Sequence, residues 1–162
     1  MHDILMQTDF GGTSGAMIGV CKIVNEDLQI FQITNQIPKF NVEMAAASLL
    51  EVIPYWNSGT VMVSVVDPGV GTARRASVAE LENGIYVISP DNGIFSLIHR
   101  KYPIRRIREI DPALNRYRGN EWSSSSDIFH GRDLFAYCGA KLASGVIRYE
   151  EVGPSYPLEE IL

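Results

Sequence analysis

Thr60-Val61-Met62-Val63-Ser64-Val65-Val66, followed at once by Asp67-Pro68-Gly69-Val70-Gly71-Thr72-Ala73-Arg74-Arg75, is the stretch on which the fold turns. Its first seven residues are mostly β-branched and nearly all apolar, with no regular polar alternation. A strand apolar on both faces is buried on both, which is the habit of parallel sheets covered by helices. The glycine-rich loop behind it then carries a carboxylate and two arginines.

Working outward toward the amino terminus, residues 42–53 predict a helix whose alanines and leucines suit close packing on a sheet. Residues 28–34 predict a strand, 15–24 a helix and 4–7 the first strand. Toward the carboxyl terminus, 76–81 and 85–89 flank Glu82-Asn83-Gly84, a hairpin turn. Pro90-Asp91-Asn92-Gly93 leads into a short helix ending near residue 100, and 104–110 predicts a further strand. Residues 118–127, with serines at 123 to 126, lack periodicity and predict a loop. A last helix is expected over 131–144, with Gly145 placed to stop it in the left-handed region. Strands alternating with helices predict a three-layer α/β/α domain over 1–152, built on a mostly parallel, Rossmann-like central sheet. Residues 153–162, opening on Gly153-Pro154-Ser155-Tyr156-Pro157, read as the start of a linker.

Composition narrows the function classes. The 162 residues are 46% hydrophobic and 20% charged, enough for one domain with a real core. The net charge of −5 argues against general nucleic-acid binding, which needs phosphate neutralisation. Arg105, Arg106, Arg108, Arg116 and Arg118 read mainly as a solvated strand and loop, with an anion or partner site as the alternative. No apolar run approaches the roughly 18 residues of a membrane span. The start, Met1-His2-Asp3-Ile4, has neither a basic flank nor a small-residue cleavage site, so a secretory signal is not expected. Cys21 and Cys138 sit in apolar helical patterns and read as buried thiols, which fits a cytoplasmic protein.

In open α/β sheets ligands bind at the carboxyl ends of strands, and three such loops carry unusual residues. Asp67 is costly at the end of a buried strand unless paired, and Arg74 or Arg75 is within reach as its partner. A structural salt-bridged turn and half of an active site are equally compatible with that segment. Gly69-Val70-Gly71 is not a dinucleotide fingerprint, because the third glycine is missing and strand residues follow; nor does a Gly-Lys-Ser/Thr phosphate loop follow. His130, at the mouth of the last helix, is disfavoured as an imidazolium by the helix dipole and could orient water, or it is a capping or surface residue. His2 and His99 do not compete. Asp9, closing the first strand in Thr8-Asp9-Phe10-Gly11-Gly12, suits a grip on ribose hydroxyls or an Asx turn.

Taken together, Thr8-Asp9-Phe10-Gly11, Asp67-Pro68-Gly69-Val70-Gly71-Thr72 through Arg74-Arg75, Pro90-Asp91-Asn92-Gly93 and Phe129-His130-Gly131-Arg132-Asp133 resemble, in order and spacing, the S-adenosyl-L-methionine (SAM) hydroxide adenosyltransferases. These are adenosine-forming SAM hydrolases related to fluorinase and chlorinase. The resemblance implies hydrolysis of SAM to adenosine and L-methionine by water attack at the ribose C5′, without a metal or other cofactor. It implies that Asp67, Arg74 and His130 position and activate the water, with Asp9 on the ribose hydroxyls and Phe40 beside the ribose. Gly131 stands where halide-using relatives present a backbone amide to the nucleophile. Ser14 replaces the family's aspartate toward the methionine ammonium, and Gln32-Ile33-Thr34-Asn35 replaces Asp-Ile-Thr-His. The family also has a carboxyl-terminal β-barrel domain, expected to be absent here, and places its sites between subunits of a homotrimer. A non-catalytic adenosine- or SAM-binding domain is the alternative.

Overall fold

The computed structural model of the chain describes residues 1–12, 14–69, 72–119 and 131–162. Among the described residues seven strands, β1 (Ile4–Thr8), β2 (Ile30–Thr34), β3 (Val61–Val65), β4 (Ala76–Leu81), β5 (Tyr86–Pro90), β6 (Ile104–Glu109) and β7 (Ser155–Tyr156), form one sheet in the order β2-β1-β3-β5-β4-β6-β7. The first four in that order run parallel. β4 is antiparallel to both of its neighbours, and β7 is antiparallel to β6. The sheet is therefore mixed, and its parallel half carries the loops that open at Asp9 and Asp67.

The helices are α1 (Gly15–Val24), α2 (Val42–Val52), α3 (Ile94–His99), α4 (Pro112–Asn115) and α5 (Tyr137–Ser144), the last preceded by a π-helical run over Gly131–Ala136. Two apolar clusters follow from the two-residue alternation of the strands. Ile4, Met6, Val61, Val63 and Val65 pack toward Met17 and Cys21 of α1 and Cys138 and Ala140 of α5. Leu5, Met62 and Val66 point the other way, toward Ala45 and Leu49 of α2 and Phe95 of α3. All five residues of β3 are buried, so the strand read as two-faced is the middle layer of the predicted α/β/α sandwich.

Local chemistry sets the element ends. Asn41 caps α2 by accepting the Met44 amide at 3.0 Å. Gly84 turns the β4–β5 hairpin at φ +86°, and Gly145 closes α5 at φ +79°; only glycine adopts this region without strain. Gly139 serves packing instead: a Cβ there would stand 3.0 Å from Val63 and 3.2 Å from Ile88, so its absence lets α5 lie close to the sheet without displacing those side chains.

Two expectations shift. Residues 153–162 lie against the domain, pairing as β7 and continuing into a 3₁₀ turn at Leu158–Glu160. The arginines of β6 are largely engaged: Arg106 donates to Glu80 and Glu150, and Arg108 donates to the Gly153 carbonyl at 2.7 Å. Both guanidinium groups lie over the Tyr149 ring. Cys21 and Cys138 are free and fully buried, and burial pushes each thiol up to about 12. Residues 120–130, with the serine run and His130, lie outside the described residues, as do Thr13, Val70 and Gly71.

Candidate active site

β1 and β3 are parallel neighbours in register, Thr8 opposite Val65, so Asp9 and Asp67 leave the sheet at the same edge. Asp67 is paired with Arg74. The Arg74 Nε lies 3.1 and 3.2 Å from the two carboxylate oxygens, and its Nη2 donates to Oδ2 as well. Both side chains are under a tenth exposed, at 7% for Asp67 and 9% for Arg74. The Arg74 guanidinium also lies over Phe135, 5.7 Å from the ring centroid, which ties the β3–β4 loop to the π-helical run. Gly69 makes room for this, since a Cβ there would stand 3.3 Å from Arg74 Cγ and 3.0 Å from Thr72 Oγ1.

Gly131 joins the other loops. Its Cβ position is 3.1 Å from the Phe10 ring and 3.3 Å from Val65, so the start of the last helical run touches both the β1 loop and the end of β3. Phe10 is half exposed and forms a wall that sequence reasoning gave no role. On the far side, Asp9 accepts the Phe40 amide at 2.7 Å. Phe40 holds φ +60°, a conformation uncommon for a bulky residue and found where a site over-determines the backbone. Its ring is half exposed. Asp9, Asp67, Arg74 and Gly131 thus converge on one edge of the sheet, with Phe40 bound to Asp9. His130, whose neighbour is Gly131, is outside the described residues.

Ser14 belongs to a separate uncharged network. Its hydroxyl is 2.5 Å from Gln32 Oε1 and 2.9 Å from Asn35 Oδ1. Asn35 Oδ1 also accepts from Thr8 Oγ1 and Gln32 Nε2, and Asn35 Nδ2 donates to the Gly12 carbonyl. Engaged in this way, Ser14 precedes α1 without capping it through its side chain. The positions that set this sequence apart at Ser14, Gln32 and Asn35 are therefore one physical unit beside Asp9. Residues 14, 32 and 35 are too far apart in sequence for spacing to have revealed it.

A cavity of about 660 Å³ opens elsewhere, at the amino ends of the parallel strands, lined by His2, Glu80, Tyr86, Arg106 and Tyr149 among others. Open α/β sheets bind ligands at the opposite end, where the convergent polar groups are.

Comparison with known proteins shows the family. Residues 4–153 match the family model described as the SAM hydroxide adenosyltransferase N-terminal domain. An (R)-S-adenosyl-L-methionine hydrolase of Methanocaldococcus jannaschii is 40% identical over 146 residues, 86% of this chain and 52% of that protein. One from Thermus thermophilus is 36% identical over 167 residues, 99% of this chain and 64% of that protein. A conserved Thermotoga maritima protein of known structure superposes with a TM-score of 0.89 at 35% identity, covering 98% of this chain and 60% of that one. The chain thus spans between half and two thirds of the length of these relatives. On the family match over residues 4–153 and these identities, the chain belongs to the SAM hydroxide adenosyltransferase family, in the region of its N-terminal domain.

Proposed function

We propose that this chain carries the water-positioning part of a SAM hydrolase, releasing adenosine and L-methionine. The observation that supports it most is the buried Asp67–Arg74 pair at the same sheet edge as Asp9 and Gly131. Attack of water at the ribose C5′ forms the new C–O bond and breaks the C5′–S bond. The sulfonium leaves as neutral methionine thioether, so no general acid is required, and one proton is lost from the attacking water. The protein's task is to hold that water in line and partly desolvated. Arg74 fixes the Asp67 carboxylate, which is then oriented to accept from the water. By the family motif, His130 is assigned as the base that takes the proton lost from the water. Asp9 keeps a carboxylate oxygen in place through the Phe40 amide and accepts ribose hydroxyls, with the Phe40 ring alongside.

The chemistry needs neither metal nor organic cofactor, because the sulfonium is itself the activated leaving group. We propose the (R) sulfonium epimer as substrate, on the printed names of the relatives. We further propose a cytoplasmic homotrimer in which residues beyond this region, and a neighbouring subunit, complete the pocket.

The test is incubation of the assembled protein, with the residues beyond this region present, with each SAM epimer, with adenosine and methionine quantified by chromatography. Release well above the uncatalysed rate, abolished in His130→Ala, is expected. Calorimetric binding of SAM or adenosine without any release would replace hydrolysis with the binding-domain reading.

A further inference from the structure

Arg74 and Arg75 are consecutive on the extended approach to β4, so their side chains leave on opposite sides. Arg74 turns inward to Asp67 and Phe135. Arg75 turns outward to the segment 155–162. Its Nη2 donates to Glu160 Oε1 at 2.9 Å, and its guanidinium stands 4.0 Å over the Tyr156 ring centroid. Its backbone is held too, the carbonyl accepting the Asp91 amide at 2.8 Å.

Asp91 closes β5 and is 1% exposed. One of its oxygens accepts the Tyr156 hydroxyl at 2.9 Å, and the other accepts the Leu162 amide at 3.2 Å. Burial raises its carboxyl above the ordinary value while these two donors pull it back. A buried carboxylate at this position is costly without donors, and the donors come from the same segment that Arg75 grips.

We infer that Arg75 and Asp91 are positioning residues: together they clamp segment 155–162 against the backbone next to Arg74, and that clamp sets where the Asp67–Arg74 pair stands. The inference deepens the hydrolase reading above and rests on it. Neither residue touches the pair through its own side chain. The connection is the single peptide between Arg74 and Arg75, anchored outside by Tyr156 and Glu160.

The test compares Arg75→Met and Arg75→Lys with the unmodified protein. The readouts are kcat and KM for adenosine release per folded molecule, together with amide exchange by NMR at Thr72, whose amide bonds the Gly69 carbonyl at 2.9 Å. Expected is a fall in kcat of roughly ten- to hundredfold for Arg75→Met, as misplaced catalytic groups produce. KM should stay within about twofold. Thr72 should exchange faster, and Arg75→Lys should recover part of the loss because it keeps a charge toward Glu160. A loss of stability with kcat and Thr72 exchange unchanged would overturn the inference, and so would a change confined to KM. If the unmodified protein, assembled and with the residues beyond this region present, releases no adenosine, the hydrolase reading fails separately. Thr72 exchange then still decides the clamp: faster exchange in Arg75→Met supports it, and unchanged exchange overturns it.

Discussion

A double-mutant cycle at Asp67 and Arg74 measures directly the pair on which the functional reading depends. The perturbations are Asp67→Ala, Arg74→Ala and both together. Either single change leaves one charge in a setting under a tenth exposed. Removing one member of a buried, hydrogen-bonded pair costs about 3–5 kcal/mol, whereas exposed pairs couple by about 0.2–1 kcal/mol. Both Arg74 Nε contacts and its Nη2 bond converge on one carboxylate, which places the pair toward the buried end. Each single variant is therefore expected to lose about 3 kcal/mol. For a domain of this size that corresponds to a fall in Tm of about 6–12 °C, taking roughly 2–4 °C per kcal/mol. The double variant is expected to lose less than the sum of the singles by about 2 kcal/mol. The assay is denaturant unfolding of all four proteins at one pH, followed by circular dichroism and fluorescence. A coupling below about 0.5 kcal/mol would refute the reasoning, since the pair would then behave as a surface contact that cannot hold a carboxylate in a fixed orientation.

Two further outcomes test other parts of the molecule. Ser14→Asp places a carboxylate against Gln32 Oε1 and Asn35 Oδ1, two acceptors. It is expected to cost about 1–3 kcal/mol in unfolding experiments unless the amides flip, while lowering KM for SAM if the substrate ammonium lies against that wall; an unchanged KM removes the placement. Cys21 and Cys138, their thiols pushed up to about 12 by burial, hold almost no thiolate at about pH 8. Ellman's reagent should therefore find no reactive thiol in the folded chain and both after denaturation, and a rapidly modified native cysteine would contradict the packing.

The parallel half of the fold was legible because its signals are local. Thr60–Val66 is apolar at every position but two, and such a run has few homes other than a strand covered on both faces. Glu82-Asn83-Gly84 and Gly145 announce turns through the conformations only glycine adopts freely. The reversal of β4 could be inferred from the hairpin, but the return of residues 153–162 to β6 could not. Ser155–Tyr156 is two residues long and adds little apolar pattern, and its place is set by partners as far off as Ser77 and Asp91.

The site divides in the same way. Sequence by itself determined which residue types close each strand: Asp9 after β1, Asp67 after β3, Asp91 after β5. Alternating strands and helices bring such ends to one edge, which is where open α/β sheets bind ligands. It also restricted the partner of Asp67 to Arg74 or Arg75. The family resemblance favoured Arg74, and the tertiary structure supplies the physical ground, since one of the two consecutive side chains faces the Phe135 ring and the other faces Tyr156. Tertiary structure alone joined Ser14, Gln32 and Asn35 into one hydrogen-bonded wall and brought Phe10 against Gly131. The physical reason is range: strand burial and turn chemistry act between near neighbours in the chain, while a pocket is made of contacts whose members meet only after the sheet has closed.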